Sequence, residues 1–181
     1  MSKAVLISIR PKWCELIAGG EKTIEVRKTR PNHTTPFKCY IYETKGFERV
    51  GNDSLNCVIG GSGRGMVIGE FVCDAIYKII NVGNAFVVGK TAAETNRVAL
   101  AACLDFGDMH DYFGHKGGQG WHVSKLEIYN EPKKLSEFRR PCHESLYCEG
   151  CAMWSEQRGC GNAALQITRP PQSWCYVEEL T

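Results

Sequence analysis

The 181 residues are 43% hydrophobic and 23% charged, the balance of an ordinary globular chain long enough to bury a core without staples. No run approaches the ~18 apolar residues of a membrane span, and the apolar stretch 4–9 is too short for a signal-peptide core. A cytoplasmic location is therefore expected, where the ten cysteines stay reduced and serve as small core residues or metal ligands.

Charge is unevenly placed. Residues 1–40 hold eight Lys or Arg against three Glu, a local +5 that leaves −3 for the rest of a chain whose net charge is +2. This points to an anionic partner near the N-terminal third or, more plainly, to a solvated face with acidic patches elsewhere.

In chain order, 4–9 is a short apolar strand. Pro11 suits the first turn of a helix, where its missing N–H has no partner to lose. Trp13, Leu16 and Ile17 make its apolar stripe, and Gly19-Gly20 stop it. Residues 22–28 alternate, sending Ile24 and Val26 to a core and Thr23, Glu25 and Arg27 to a wet face. The run 37–43 (FKCYIYE) is the next strand, and 44–65 is a loop ending in GGSGRG. Residues 66–80 are strand-like, with Gly69 marking a bulge or a close approach.

Gly89-Lys90-Thr91 is no phosphate loop: Gly83 stands one residue too far back, and 86–88 are too apolar to wrap a phosphate. Thr91 and Glu94 form a capping box for a helix reaching about Leu104. A shorter helix spans 105–113, turning Met109, Tyr112 and Phe113 inward. His110, Asp111 and His115 lack specific metal spacing and fit a surface turn. Residues 121–129 (WHVSKLEIY) form an alternating strand, and a last strand covers 174–177.

Four cysteines crowd the C-terminal part. Cys142, Cys148, Cys151 and Cys160 follow the pattern C-x5-C-x2-C-x8-C. The x2 pair lets two thiolates reach one tetrahedral ion, so a closed structural zinc is one reading and unpaired thiols in a loop or a labile disulfide are the other. No organic cofactor is expected.

The run Leu6-Ile7-Ser8-Ile9-Arg10-Pro11-Lys12-Trp13, followed by Gly20-Glu21-Lys22-Thr23-Ile24-Glu25-Val26-Arg27-Lys28, resembles the ASCH domain of the PUA-like superfamily. Residues 66–72 (MVIGEFV) and 120–126 (GWHVSKL) fit its later strands, so the likeness covers about 4–138. The tail looks like the extended ASCH-like proteins common in bacteria and their phages. The resemblance implies an α+β fold: a PUA-like curved β-barrel with flanking helices over residues 1–138, and a cysteine-rich extension, 139–181, closing with a final strand. It also implies a cleft between the first helix and the 22–27 strand, and an association with RNA and modified nucleosides.

One ASCH branch hydrolyses an acetyl amide on cytidine with a Lys-Thr-Ile-Thr motif, whose Lys and last Thr are catalytic. Here the Lys is Lys22, but Glu25 stands at the Thr position. The expected function is thus a module binding RNA, single-stranded nucleic acid or a nucleotide. Lys22 and Arg27 would pair phosphate, Glu25 would accept from an exocyclic amine, and Trp13, Trp121 or Tyr40 would stack a base. Arg10, Lys12, Thr23, His122 and Ser124 complete the expected ligand set. The alternative is an amidohydrolase on N-acylated cytidines, with Glu25 as base for water and Lys22 steadying the oxyanion. A bland reading has Glu25 and Arg27 merely paired on a strand surface, and a weaker one has the cysteine-rich tail contacting a protein partner.

Overall fold

The computed structural model describes residues 2–46, 48–50, 57–59, 63–83, 85–142, 151–155 and 159–180. The apolar entry forms β1 (Lys3–Ile9), parallel to β3 (Phe37–Glu43) and antiparallel to β13 (Trp174–Glu178). It reads as an unbroken apolar run because both its faces are covered. Val5, Ile7 and Ile9 enter one core cluster, while Ala4 and Leu6 enter another. Strand β3 divides its side chains in the same way, Cys39 and Ile41 to the first cluster and Tyr40 and Tyr42 to the second.

Five strands make the first sheet in the order β10-β6-β3-β1-β13, with β6 at Val67–Cys73 and β10 at Ser124–Lys133. The second sheet runs β2-β9-β7-β8: Ile24–Arg27, Gly118–His122, Ile76–Asn81 and Phe86–Val88. Helices α1 (Pro11–Ala18), α2 (Ala92–Ala101) and α3 (Phe106–Phe113) complete an α+β fold. The described strands divide between separate sheets rather than closing one barrel. A third core cluster joins Ile24, Val26 and Ile79 to Val98, Met109 and Phe113 from α2 and α3.

Two expected single strands are each split. The run 66–80 breaks at Asp74-Ala75, and 121–129 breaks at Val123; at both breaks the chain leaves one sheet for the other. Lys125, with φ 47°, sits in an irregular register just beyond the second break. The expected loop 44–65 contains paired backbone at β4 (Glu48–Val50) and β5 (Cys57–Ile59), and a second short pair joins β11 (Trp154–Ser155) to β12 (Gly159–Cys160).

Other local expectations hold. Thr91 caps α2 in a reciprocal capping box with Glu94, a device worth about 1 kcal/mol. Gly69 is a close approach: a Cβ there would lie 2.4 Å from the Glu127 carbonyl oxygen. In α1 the buried residues are Pro11, Cys14 and Ile17, while Trp13 and Leu16 are half-buried. The stripe is therefore rotated toward Cys14. Among the described residues no helix is long and apolar enough to cross a membrane.

A buried charged cluster as the candidate functional site

Gly19 caps helix α1, and Gly20, at φ 77°, turns the chain back so that Glu21 and Lys22 both donate backbone N–H to the Leu16 carbonyl. The turn drives the Lys22 side chain inward until it is 1% exposed. Its Nζ donates to the Ala102 carbonyl at 2.5 Å, lies 3.6 Å from Glu25 Oε2, and stands 4.8 Å from the centre of the Trp13 ring. Ala102 caps the C-terminal end of α2, the negative pole of that helix, and so suits an ammonium.

Glu25 and Arg27 are 5% and 7% exposed. The wet face expected for β2 is therefore buried: the alternation was right, but both sides of the strand are covered. Arg27 Nη2 lies 2.8 Å from Glu25 Oε1 and donates to the Ser8 carbonyl at 2.6 Å. Glu25 thus stands between two cations, one at each carboxylate oxygen. Arg27 Nε is buried without a partner among the described residues, and Arg27 also faces Tyr112 from α3.

The surroundings shape the titrations. Burial pulls the Lys22 ammonium below its ordinary pKa, with Glu25 opposing. Burial pushes the Cys14 thiol up, and Glu43 and Glu25 push it further, so Cys14 is inert as a nucleophile. Tyr112 is raised by burial, with Arg27 opposing. Glu43, at the end of β3, accepts the Arg64 backbone N–H at 2.8 Å.

Around this interior lies an exposed cationic rim. Arg10, Lys12, Lys28 and Arg64 are all exposed. Lys12 Nζ sits 4.7 Å from the Trp13 ring centre, so this half-buried indole carries two ammonium contacts. Lys28 lies over Tyr112 at 5.4 Å.

The structure gathers Arg10, Lys12, Trp13, Lys22, Glu25 and Arg27 into one neighbourhood, and Trp121 and His122 lie beside it as the cross-strand partners of Glu25 and Ile24, with their side chains otherwise engaged. Thr23 bonds through its backbone to Ala101 and Val123. Trp121 is 0% exposed, its ring edge-on to Phe37 at 5.8 Å, and offers no face to a base; Tyr40 is equally buried. His122 Nδ1 is hydrogen-bonded to Asp74 Oδ1 at 2.6 Å, which holds the Asp74 carboxyl below its usual range. Ser124 donates to the Val72 carbonyl.

Cys14, Glu43, Arg64 and Tyr112 come from four separate segments, and no local motif could have pointed to them. Of the expected zinc ligands, Cys148 lies outside the described residues. Cys142, Cys151 and Cys160 are free thiols, and among the described residues no three His, Cys, Asp or Glu converge on a metal position.

The fold is similar to solved ASCH structures from Zymomonas mobilis. One covers 97% of this chain and 88% of its own, at 20% identity and a TM-score of 0.57. Two single-residue variants of that protein match at 20% identity and TM-scores of 0.56, covering 98% and 97% of this chain and 92% and 89% of their own. No family model and no curated protein matches the sequence. At this identity the likeness establishes a shared fold, and it extends beyond residue 138 into the cysteine-rich tail.

Proposed function

We propose, from the premise of an ASCH fold, that this chain is an ASCH-domain module that binds single-stranded nucleic acid, RNA first, at the cationic rim over α1 and β2. The observation that carries this reading is the buried Lys22–Glu25–Arg27 triad, two cations on one carboxylate, beneath exposed Arg10, Lys12 and Arg64. Buried Glu43 lies 3.9 Å from Arg64 and offsets part of that charge, so of these three Arg10 and Lys12 are the cations left free at the surface among the described residues. Trp13 is the aromatic that a splayed base would meet, in place of Trp121. The triad organises the surface; the exposed arginines and lysines touch phosphate. A salt titration of a fluorescein-labelled uridine 12-mer tests this. Arg10→Gln/Lys12→Gln is expected to lower the slope of log affinity against log salt by about 1.4, or 0.7 per lost phosphate contact. No binding by the wild type at low salt would remove the reading.

A second reading, amide hydrolysis of an N-acylated cytidine, draws support from the depressed Lys22 ammonium 3.6 Å from Glu25. It requires Glu25 to release a cation before it can take a proton from water. Cytidine release from N4-acetylcytidine that persists in Glu25→Gln would dismiss this role for Glu25. Structural zinc at Cys142, Cys148, Cys151 and Cys160 remains a proposal on the x2 spacing, and metal content of freshly reduced protein near zero would reject it.

A further inference from the structure

A second cationic depression lies on the second sheet, outside the triad. Its cavity of about 250 Å³ is lined by Lys28, Lys78, Gln119, His115, Asn81 and Ile80, among others, and no carboxylate is among the lining residues. That volume falls below the usual range of pockets that enclose a small molecule. It suits one segment of a longer ligand.

The depression is held in shape by its own packing. Gly117 presses on β7 so closely that a Cβ would lie 2.0 Å from the Ile79 carbonyl oxygen. Asn81 Nδ2 donates to the Gly114 carbonyl at 3.0 Å and pins the loop that carries His115. Asn81 is committed to holding the loop, and the two lysines are the groups left for a ligand. Among the described residues the Lys78 side chain has no ion pair or hydrogen bond, and the Lys28 ammonium has no ion pair and lies over the Tyr112 ring. Lysine pairs elsewhere in the molecule, such as Lys38 with Glu70, show that carboxylates are available to quench such charges where the fold has use for it.

Position ties this depression to the triad. Arg27 pairs with Gln119 across β2 and β9, and Gln119 pairs with Lys78 across β9 and β7. Two strand spacings, about 10 Å, therefore carry a cross-strand row from the buried arginine to Lys78, and Lys28 follows Arg27 directly in the chain. Exposed Ile80 and Val82 lie along the chain from Lys78 and make an apolar shelf beside the row.

We infer that Lys28 and Lys78 form a second phosphate subsite, through which a single strand of nucleic acid continues after leaving the α1–β2 rim. The inference rests on the nucleic-acid reading above and deepens it by giving the strand a path. The shared chemistry is the phosphodiester, with Gln119 free to meet a sugar or base edge and Ile80 giving apolar contact.

The experiment is anisotropy titration of the full chain with labelled uridine and deoxythymidine 12-mers across a salt series. For Lys28→Gln/Lys78→Gln the salt slope is expected to fall by about 1.4, with affinity at low salt lowered on the order of tenfold, for both oligomers alike. Lys134→Gln, at the far end of the first sheet, should leave the slope unchanged. A wild type that binds while the double variant keeps its affinity and slope overturns the subsite and leaves the rim standing. A loss confined to the RNA oligomer also overturns it, since a phosphate contact does not distinguish the sugars. A wild type that binds neither oligomer overturns both readings.

Discussion

Lys22 and Lys38 each meet glutamate, and the fold treats them in opposite ways. Lys38 lies 2.8 Å from Glu70 and 3.4 Å from Glu179, all three partly exposed, and its hydrogen bond to Glu70 raises its pKa. Lys22 lies farther from Glu25 and is sealed from water, so burial dominates and lowers its pKa. Near the surface, water has already met most of the solvation demand and the pair gains a little. In the interior, desolvation outweighs the attraction unless every donor and acceptor is matched. Charge pairing near the surface thus ties down the C-terminal segment at small cost. Charge pairing inside maintains a fixed array of charge under the rim and contributes little net stability.

Breaking the interior array should have the largest effect. Glu25→Ala would leave Lys22 and Arg27 buried without their carboxylate and is expected to cost about 3–5 kcal/mol in urea unfolding. A loss below about 1 kcal/mol would mean that water reaches the cluster.

Lys22→Met should show as a change of alkaline slope. The Lys22 folded-state pKa is depressed below 10.5, so the unfolded chain binds more protons between the two values, and wild-type stability should rise with pH through that window and level off above 10.5. Lys38 has the opposite sign. Its raised folded value makes its contribution present below 10.5 and lost as pH climbs through that raised value. Unfolding across this range should show the Lys22 increment vanish in Lys22→Met. An unchanged slope would contradict the depressed ammonium.

The smallest effect belongs to Glu70→Gln, which is expected to cost below about 1 kcal/mol. A larger loss would place the Lys38 cluster in the same class as the buried one and dissolve the contrast.

Local chemistry made much of the fold legible. Pro11 at the helix start and Thr91 with Glu94 at the next helix each act over a few residues, and sequence displays such distances directly; Gly69 was legible as an irregularity in a strand, though what crowds it, the Glu127 carbonyl, is remote. What sequence concealed was cover. Alternation at β2 separates Ile24 and Val26 from Glu25 and Arg27, but it cannot report that another layer lies over the polar side. That information resides in Ser8, Ala102 and Tyr112, far along the chain. The burial of Trp121 was hidden for the same reason. Its strand is short of side chains, with Gly118 and Gly120 beside it, and the indole fills the space between the sheets. The breaks at Asp74-Ala75 and Val123 carry no proline or glycine, so nothing local announces that the chain changes sheets there. At the site, the basic character of 10–28 was legible; the division into a buried triad and an exposed rim was not.

The flanking of β1 by β3 and β13 has a consequence for how the first sheet assembles. β1 is interior to its sheet, yet its two neighbours stand at very different separations in sequence, one at Phe37–Glu43 and the other at Trp174–Glu178. Until β13 docks, the β1–β3 pair holds an apolar strand with one edge open, the kind of edge that recruits foreign strands. Tyr176 and Val177 close that edge opposite Val5 and Ala4, so β13 acts as the seal on a pairing begun more locally.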